Sequence, residues 1–318
     1  MSEFLAHPRI YGKYFLLLLL PFLLPACRSE STSATTKTQI VPVAPGSFDF
    51  ATPAELRDFL RWSPAAPVLI SAHRGGPYPG YPENSIAAFE NAIQYGPLLI
   101  ECDVAMTKDS VLVLLHDKTL DRTTTGKGPL ARYRYRELDA FRLVDERGAV
   151  TDHRIPTLTE VLNWGRGKVI FTLDVKGVPL DLVIQKVQQL DAQAHAIIIT
   201  YNYRDAQTVH RLDPELVISV SGRHAEDLQR LRDSGIPSGN VMAFVGVAER
   251  EPQHYRELHG LGIRATLGTL GNLDKRVVAR KKEGLYLEYY QRGADVLATD
   301  RPLEVARVLR AAASAAGQ

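Results

Sequence analysis

The sequence predicts a (β/α)₈ TIM barrel with a β-hairpin extension after the second strand. Three observations predict it. From residue 68 onward, short β-branched and aliphatic runs alternate with amphipathic stretches at helical spacing. Eight such runs occur, over a length close to the ~250 residues usual for this barrel. Charged side chains cluster where several runs end, which is where a barrel of this kind keeps its active groups. Buried strands alternating with helices imply parallel strands joined by right-handed crossovers. Periodicity alone leaves a doubly wound open sheet as the alternative.

The elements follow in order. Thr52-Pro53-Ala54-Glu55 is a capping box with proline at the first helical position, opening a helix to about Trp62. Val68–Ala72 is the first strand. Ser85–Tyr95 is a helix with Ile86, Phe89 and Ile93 on one face, ended by Gly96. Leu98–Asp103 is the second strand. Thr107-Lys108-Asp109-Ser110 then reads as a tight turn between Val104–Met106 and Val111–Leu115. Pairing Thr107 with Ser110 places His116 opposite Glu101; a slip of one residue places it opposite Cys102, on the other face. Helix Leu158–Trp164, strand Val169–Val175 and helix Leu180–Leu190 come next, the last aligning Val183, Val187 and Leu190. The remaining strands are Ala196–Tyr201, Leu216–Ser221, Val241–Val247, Ile263–Leu267 and Ala294–Ala298. Helices are expected near 204–212, 225–233, 251–259 and 284–292, with Leu303–Ala313 closing the chain.

Composition narrows the function. The chain has 318 residues, net charge +2, 45% hydrophobic and 23% charged residues, an ordinary globular balance that excludes a disordered or multi-span membrane protein. Near-neutral charge argues against nucleic acid as a partner. Arg132-Tyr133-Arg134-Tyr135-Arg136 alternates cation and aromatic, yet with Glu137 beside it reads as a solvated edge. Two cysteines cannot build a disulfide framework.

The first fifty residues read as an export segment. Arg9 and Lys13 precede an apolar run, Tyr14 to Leu24, which is too short for the ~20 residues a spanning helix needs. That pattern describes a secretory signal peptide. Leu24-Pro25-Ala26-Cys27 resembles the lipobox of bacterial lipoproteins, in which the cysteine becomes the lipid-bearing N-terminus. The expected organisation is a lipoprotein signal peptide at 1–26, a flexible Ser/Thr/Pro tether at 27–50 and a single barrel at 51–318. The expected location is the cell envelope, outer membrane or periplasm-facing, with the membrane a partner through lipidated Cys27. The plainer alternative is a signal peptide with an incidental Cys27.

The strand ends carry the chemistry. The first ends His73-Arg74-Gly75-Gly76, the second Glu101-Cys102-Asp103, and the third carries Asp174 and Lys176. Charges inside apolar runs are costly unless paired or metal-bound. Glu101 and Asp103 share a face of their strand, and two adjacent carboxylates stay ionised most easily around a cation. Asp174, on the next barrel strand, offers a third ligand. Oxygen donors favour Mg²⁺ or Ca²⁺ over zinc. Cys102 points to the opposite face and reads as packing. Two histidines near such a cation, flanked by Arg74 and Lys176, suit cleavage of a phosphoryl ester by general acid–base catalysis.

Several ordered motifs carry a resemblance. His73-Arg74-Gly75, Glu83-Asn84-Ser85, Glu101-x-Asp103-Val104, Thr107-Lys108-Asp109, His116-Asp117 and Leu120-x-Arg122-Thr123-Thr124 look like the glycerophosphodiester phosphodiesterase family. So do Ile155-Pro156-Thr157-Leu158-x-Glu160-Val161-Leu162, Gly293-Ala294-Asp295 and Thr299-Asp300-x-Pro302. The resemblance implies a (β/α)₈ barrel, His73 and His116 as the acid–base pair, and Glu101, Asp103 and Asp174 as metal ligands. It implies phosphate contacts for Arg74 and Lys176, with Glu83 a further ligand or a partner of Arg74. It implies that the neighbouring glycerol hydroxyl attacks phosphorus and displaces the head-group alcohol, water then opening a cyclic phosphate. Two departures stand out: the family more often has glutamate where Asp174 stands, and a Trp-Thr-x-Asn-like segment where this chain has Arg264-Ala265-Thr266-Leu267-Gly268-Thr269. Recognition of glycerol therefore does not transfer with the rest.

Plainer readings compete at each position. Alone, His73 or His116 would be a hydrogen-bonded core histidine; the company of Arg74, Glu101 and Asp103 favours chemistry. Asp109 and Asp117 read as turn residues, and surface positions suffice for most of the other histidines. Arg122 reads equally as a phosphate contact or as loop packing. Tyr201 and Asn202 read equally as the substrate mouth or as helix capping. Two alternatives to a diester hydrolase stay open: a phospholipase-like enzyme acting on intact lipids, and a lipoprotein that binds a phosphorylated ligand without turnover.

Overall fold

The computed structural model describes residues 48–316. The expected signal peptide, Cys27 and nearly all of the expected tether lie outside the described residues. Thr52 caps the first helix as expected, its hydroxyl accepting from the Glu55 N–H, but the box does not close on the cap residue: the Glu55 carboxylate accepts from the Ala51 N–H instead. The cap opens α1 (Pro53–Leu60), which is followed by β1 (Leu69–Ala72), α2 (Ile86–Ile93), β2 (Leu99–Met106) and β3 (Leu112–Leu114). Next come α3 (Leu158–Gly165), β4 (Ile170–Val175), α4 (Leu180–Gln189), β5 (Ala196–Ile199), α5 (Tyr203–Leu212), β6 (Val217–Ser221) and α6 (Ala225–Asp233). The chain ends with β7 (Val241–Gly246), α7 (Pro252–Gly260), β8 (Arg264–Gly268), α8 (Asn272–Arg280), α9 (Leu285–Gln291), β9 (Val296–Thr299) and α10 (Pro302–Ala316).

The strands run in the order β1-β9-β8-β7-β6-β5-β4-β2, and β1 also pairs with β2 in parallel, Ser71 opposite Leu99. That last pairing closes the sheet and rules out the open alternative. The lower barrel is filled by Leu69, Leu99, Ile170, Ile197, Val217 and Met242, and α1 seals it with Leu56 and Leu60. Arg264 is fully buried in this floor, and its guanidinium donates to the carbonyls of Phe59, Leu60 and Pro67. Outward-facing strand residues, Cys102 among them, pack against the helices in the main core.

The hairpin differs from the expected register. Val104 pairs with Leu114 and Met106 with Leu112, so the ladder runs one residue later than a Thr107–Ser110 pairing requires. Ser110 adopts a left-handed conformation (φ 62°) and the turn holds three residues, Thr107 N–H donating to the Val111 carbonyl. The Leu115 N–H bonds the Asp103 carbonyl, so continuing the ladder sets His116 level with Cys102. Ladder register therefore does not bring His116 to the acids. The excursion beyond builds its own small core from Val113, Leu120, Leu130, Leu138, Leu143 and Ile155. Tyr133 and Tyr135 pack on that core while Arg132, Arg134 and Arg136 face solvent, as a solvated edge should.

Two other expectations need correction. Helix α8 lies in a stretch that carries no expected element, because its buried face is only Leu273, Asp274 and Val277 in a charged segment. His195 and His259 are not surface residues. His195 is buried against the Leu162 carbonyl, and His259 stacks on Trp62 and pairs with Asp295.

Candidate active site

One rule of strand geometry assembles the site. Successive side chains alternate across a strand, so the inward set can be followed past the strand's end. In β1 that set is Leu69 and Ser71, and the next member is His73. In β4 it is Ile170, Thr172 and Asp174, continued by Lys176; in β5, Ile197 and Ile199, continued by Tyr201. In β9, Val296 and Ala298 face the cavity, and the next alternate residue, Asp300, reaches His73. In β2 the inward residues are Leu99, Glu101 and Asp103, and the register sets Asp103 directly beside Asp174. One carboxylate oxygen from each of Glu101, Asp103 and Asp174 lies within 4.8 Å of the others, and all three residues are buried.

The loop after β1 is shaped to reach these acids. Arg74 is left-handed (φ 53°), which aims its backbone N–H at Glu101 Oε2, 2.8 Å away. Gly75 (φ +83°) has no room for a side chain, since a Cβ there would lie 2.5 Å from the Phe89 ring. Asn84, also left-handed, clamps Asp103 from both sides. Its amide donates to Asp103 Oδ2 (2.8 Å), and its carbonyl oxygen accepts the Asp103 N–H (2.9 Å).

Cations and carboxylates interlock around this centre. Lys176 Nζ lies 2.9 Å from both Asp103 and Asp174. The Tyr201 hydroxyl, 2.7–2.8 Å from both Asp174 oxygens, holds that shorter side chain in place. Arg74 pairs with Glu83 (3.0 Å), while its buried Nε, 3.5 Å from Asp103, makes no hydrogen bond. Arg122 links Glu83 (2.8 Å) to Asp117 (2.7 Å), and Asp117 bonds Nδ1 of His116 at 2.6 Å. His73 has a matching partner: its Nδ1 lies 2.6 Å from Asp300, with Nε2 toward Glu101 at 3.9 Å.

The electrostatics follow from burial and pairing. Burial, then the Asp103 charge, pushes the Glu101 carboxyl up to about 7. Burial works against Asp103 as well, but bonds from Asn84 and Lys176 outweigh it and hold that group low. Burial would depress His73; the Asp300 hydrogen bond and the Glu101 charge raise it on balance. Asp300 is held low against its burial by His73, and Asp117 lower still by Arg122. Because an ionised carboxylate only accepts, each histidine donates Nδ1–H to its aspartate, which leaves Nε2 as the second ring nitrogen.

The centre opens into a cavity of about 400 Å³ running down the barrel axis, with His73, Glu101, Asp174 and Lys176 on one side. Of the residues expected from sequence, His73, Arg74, Glu101, Asp103, Asp174 and Lys176 come together here, and Glu83 joins through Arg74. His116 stands at the far end of the Asp117–Arg122–Glu83 relay, outside the residues lining the cavity. Sequence reasoning missed the roles of Asp300, Asn84 and Asp117. Asp300 had a usable signal in the inward alternation of its strand; Asp117 had none, since adjacency to a histidine does not distinguish a partner from a turn residue. Tyr201 turns to Asp174 while Asn202 caps α5, so the two alternatives divide between neighbours.

Known proteins resemble this chain in sequence and in fold. The model of the glycerophosphoryl diester phosphodiesterase family matches residues 73–302. A glycerophosphodiester phosphodiesterase of Caldanaerobacter subterraneus subsp. tengcongensis is 35% identical over 163 residues, 48% of this chain and 66% of that protein. One from Bacillus altitudinis is 32% identical over 165 residues, 48% of this chain and 65% of that protein. The chain thus spans just under two thirds of the length of these curated relatives. A crystal structure of a glycerophosphoryl diester phosphodiesterase from Parabacteroides distasonis is 34% identical, with a TM-score of 0.80, over 84% of this chain and 95% of that one.

Proposed function

Because the chain belongs to the glycerophosphoryl diester phosphodiesterase family, we propose that it hydrolyses glycerophosphodiesters to an alcohol and glycerol phosphate, with His73 and His116 as acid and base. The observation that carries the reading is one wall of one cavity: three buried carboxylates, two cations and an aspartate-oriented histidine.

The donor set fits a divalent metal. Three buried carboxylates converge, all ligand atoms are hard oxygens, and Glu101 is driven toward protonation in the absence of further positive charge. Glu101, Asp103 and Asp174 would hold Mg²⁺ or Ca²⁺, which supplies charge stabilisation at a phosphoryl oxygen when bound. Asn84, Lys176 and Tyr201 keep these carboxylates in place, and such outer partners tune ligand orientation.

The chain's own groups account for the rest. The unbonded Nε of Arg74 and the Lys176 ammonium neutralise charge on the phosphoryl group. One histidine accepts the proton of the attacking glycerol hydroxyl at Nε2. The other donates a proton to the head-group oxygen as its bond to phosphorus breaks. Water then opens the cyclic phosphate with the two roles exchanged. Purified protein should release free alcohol from a glycerophosphodiester panel, with loss in EDTA, recovery on adding Mg²⁺ or Ca²⁺, and a transient cyclic phosphate in phosphorus NMR. No turnover of any diester with either metal would sink the proposal.

Hydrolysis of intact phospholipids is a second reading, favoured by exposed aromatics on loops at the site's end of the barrel. Tyr78 and Tyr81 flank a tight turn after β1, and Tyr201 follows β5. A lipid anchor at Cys27, a tether and an envelope location rest on the leader pattern at residues 9–27 and belong to the same proposal.

A further inference from the structure

The half of the cavity facing the carboxylates is built from unusual parts. On β8 the inward positions are Arg264 in the floor, then Thr266 and Gly268, so the upper wall has no large side chain of its own. Phe244 of β7 occupies that space: a Cβ on Gly268 would come within 3.1 Å of its ring. Arg223 lies over Phe244 in turn, its guanidinium carbon 5.3 Å from the ring centroid, a cation–π contact that orients the side chain.

Arg223 continues the inward alternation of β6 after Ser219 and Ser221, as Lys176 continues that of β4. Three cationic side chains line the cavity: Arg74, Lys176 and Arg223. Arg74 and Lys176 are paired with Glu83, Asp103 and Asp174. The Arg223 guanidinium has no carboxylate partner among the described residues. Nearby Asp227 is already engaged by the backbone N–H of Arg223 and His224, the Ser221 hydroxyl and Arg230.

We infer that Arg223, held on Phe244, is a specificity-determining residue that selects diesters whose alcohol carries an additional anionic group, a carboxylate or a further phosphate. The inference rests on the phosphodiesterase reading above. With the reacting phosphoryl group at Arg74 and Lys176, a substituent crossing the cavity ends against an uncompensated cation at the exposed rim, where an anionic group can accept charge-assisted hydrogen bonds from the guanidinium. A cationic head group meets like charge at the same place.

Two matched substrate pairs test this on the full chain. Glycerophosphoserine differs from glycerophosphoethanolamine by one carboxylate, and glycerophosphoinositol phosphate differs from glycerophosphoinositol by one phosphate. The expected result is a kcat/KM ratio of at least about tenfold in favour of the anionic member of one pair, the factor that about 1.4 kcal/mol supplies. The pair that shows it identifies carboxylate or phosphate as the recognised group. Arg223→Gln should bring that ratio close to one, and each ratio is internally controlled for folding and active fraction. Ratios near one in both pairs, or a ratio unchanged in Arg223→Gln, would overturn the assignment. Absence of hydrolysis of all four diesters overturns the phosphodiesterase reading, and this inference with it.

Discussion

Replacing Asp300 by Asn keeps the shape beside His73 and removes the charge. The bond at stake is 2.6 Å long and joins an imidazole to a carboxylate held ionised. Hydrogen bonds to charged groups contribute about 1.5–3 kcal/mol, so a bond that strengthens as His73 becomes cationic should cost roughly 10- to 150-fold in kcat/KM when lost. The sign of the pH effect follows from the causes at His73. Burial lowers its pKa and Asp300 is the largest influence raising it, so the variant's His73 must titrate at lower pH than the wild type's. If His73 acts as the base, the acidic limb of the kcat/KM profile moves to lower pH; if it acts as the acid, the basic limb does. The measurement is the profile of both proteins on one diester at saturating metal. A loss of less than threefold with neither limb displaced would refute the claim that Asp300 orients and charges His73.

Three further outcomes are expected. Mg²⁺ or Ca²⁺ at a hundred times its Kd should stabilise the protein by about 2.7 kcal/mol, seen as a rise in Tm; Asp174→Asn should remove most of the rise, and an undiminished rise would place the metal elsewhere. Gly75→Ala forces a Cβ to 2.5 Å from Phe89 at φ +83°, and a loss of about 1–3 kcal/mol in denaturant unfolding is expected, with neutrality the disproof. Burial holds the His195 pKa below its usual 6.5. The unfolded chain therefore binds its proton first, and stability is lost as pH falls through the unfolded value. The stability advantage of wild type over His195→Asn should shrink between pH 7 and 5, and an advantage constant over that range would contradict this assignment.

Much of the site was legible because strand alternation is a local property. Glu101 and Asp103 share a face by their spacing alone, and Cys102 is excluded from that face for the same reason. His73, Lys176 and Asp300 follow the same rule, although in the sequence Asp300 stands out only as part of a motif. His116 was not legible, because its position depends on a turn in which Ser110 takes a left-handed conformation and shifts the ladder by one residue. Helix α8 escaped for a related reason: a helix with three buried residues leaves little apolar periodicity to read.

The alternation of strands and helices, the inward acids and the family pattern are all encoded in spacings of a few residues. Closure of the sheet through β1 and β2, the placing of Asp174 beside Asp103, and the pairing of Asp300 and Asp117 with the two histidines emerge only in the folded chain. The wall that Phe244 and Arg223 form opposite the carboxylates emerges only there too. The physical reason is distance along the chain. Closure, register between separate strands and pairing across 227 residues depend on packing that no local window contains.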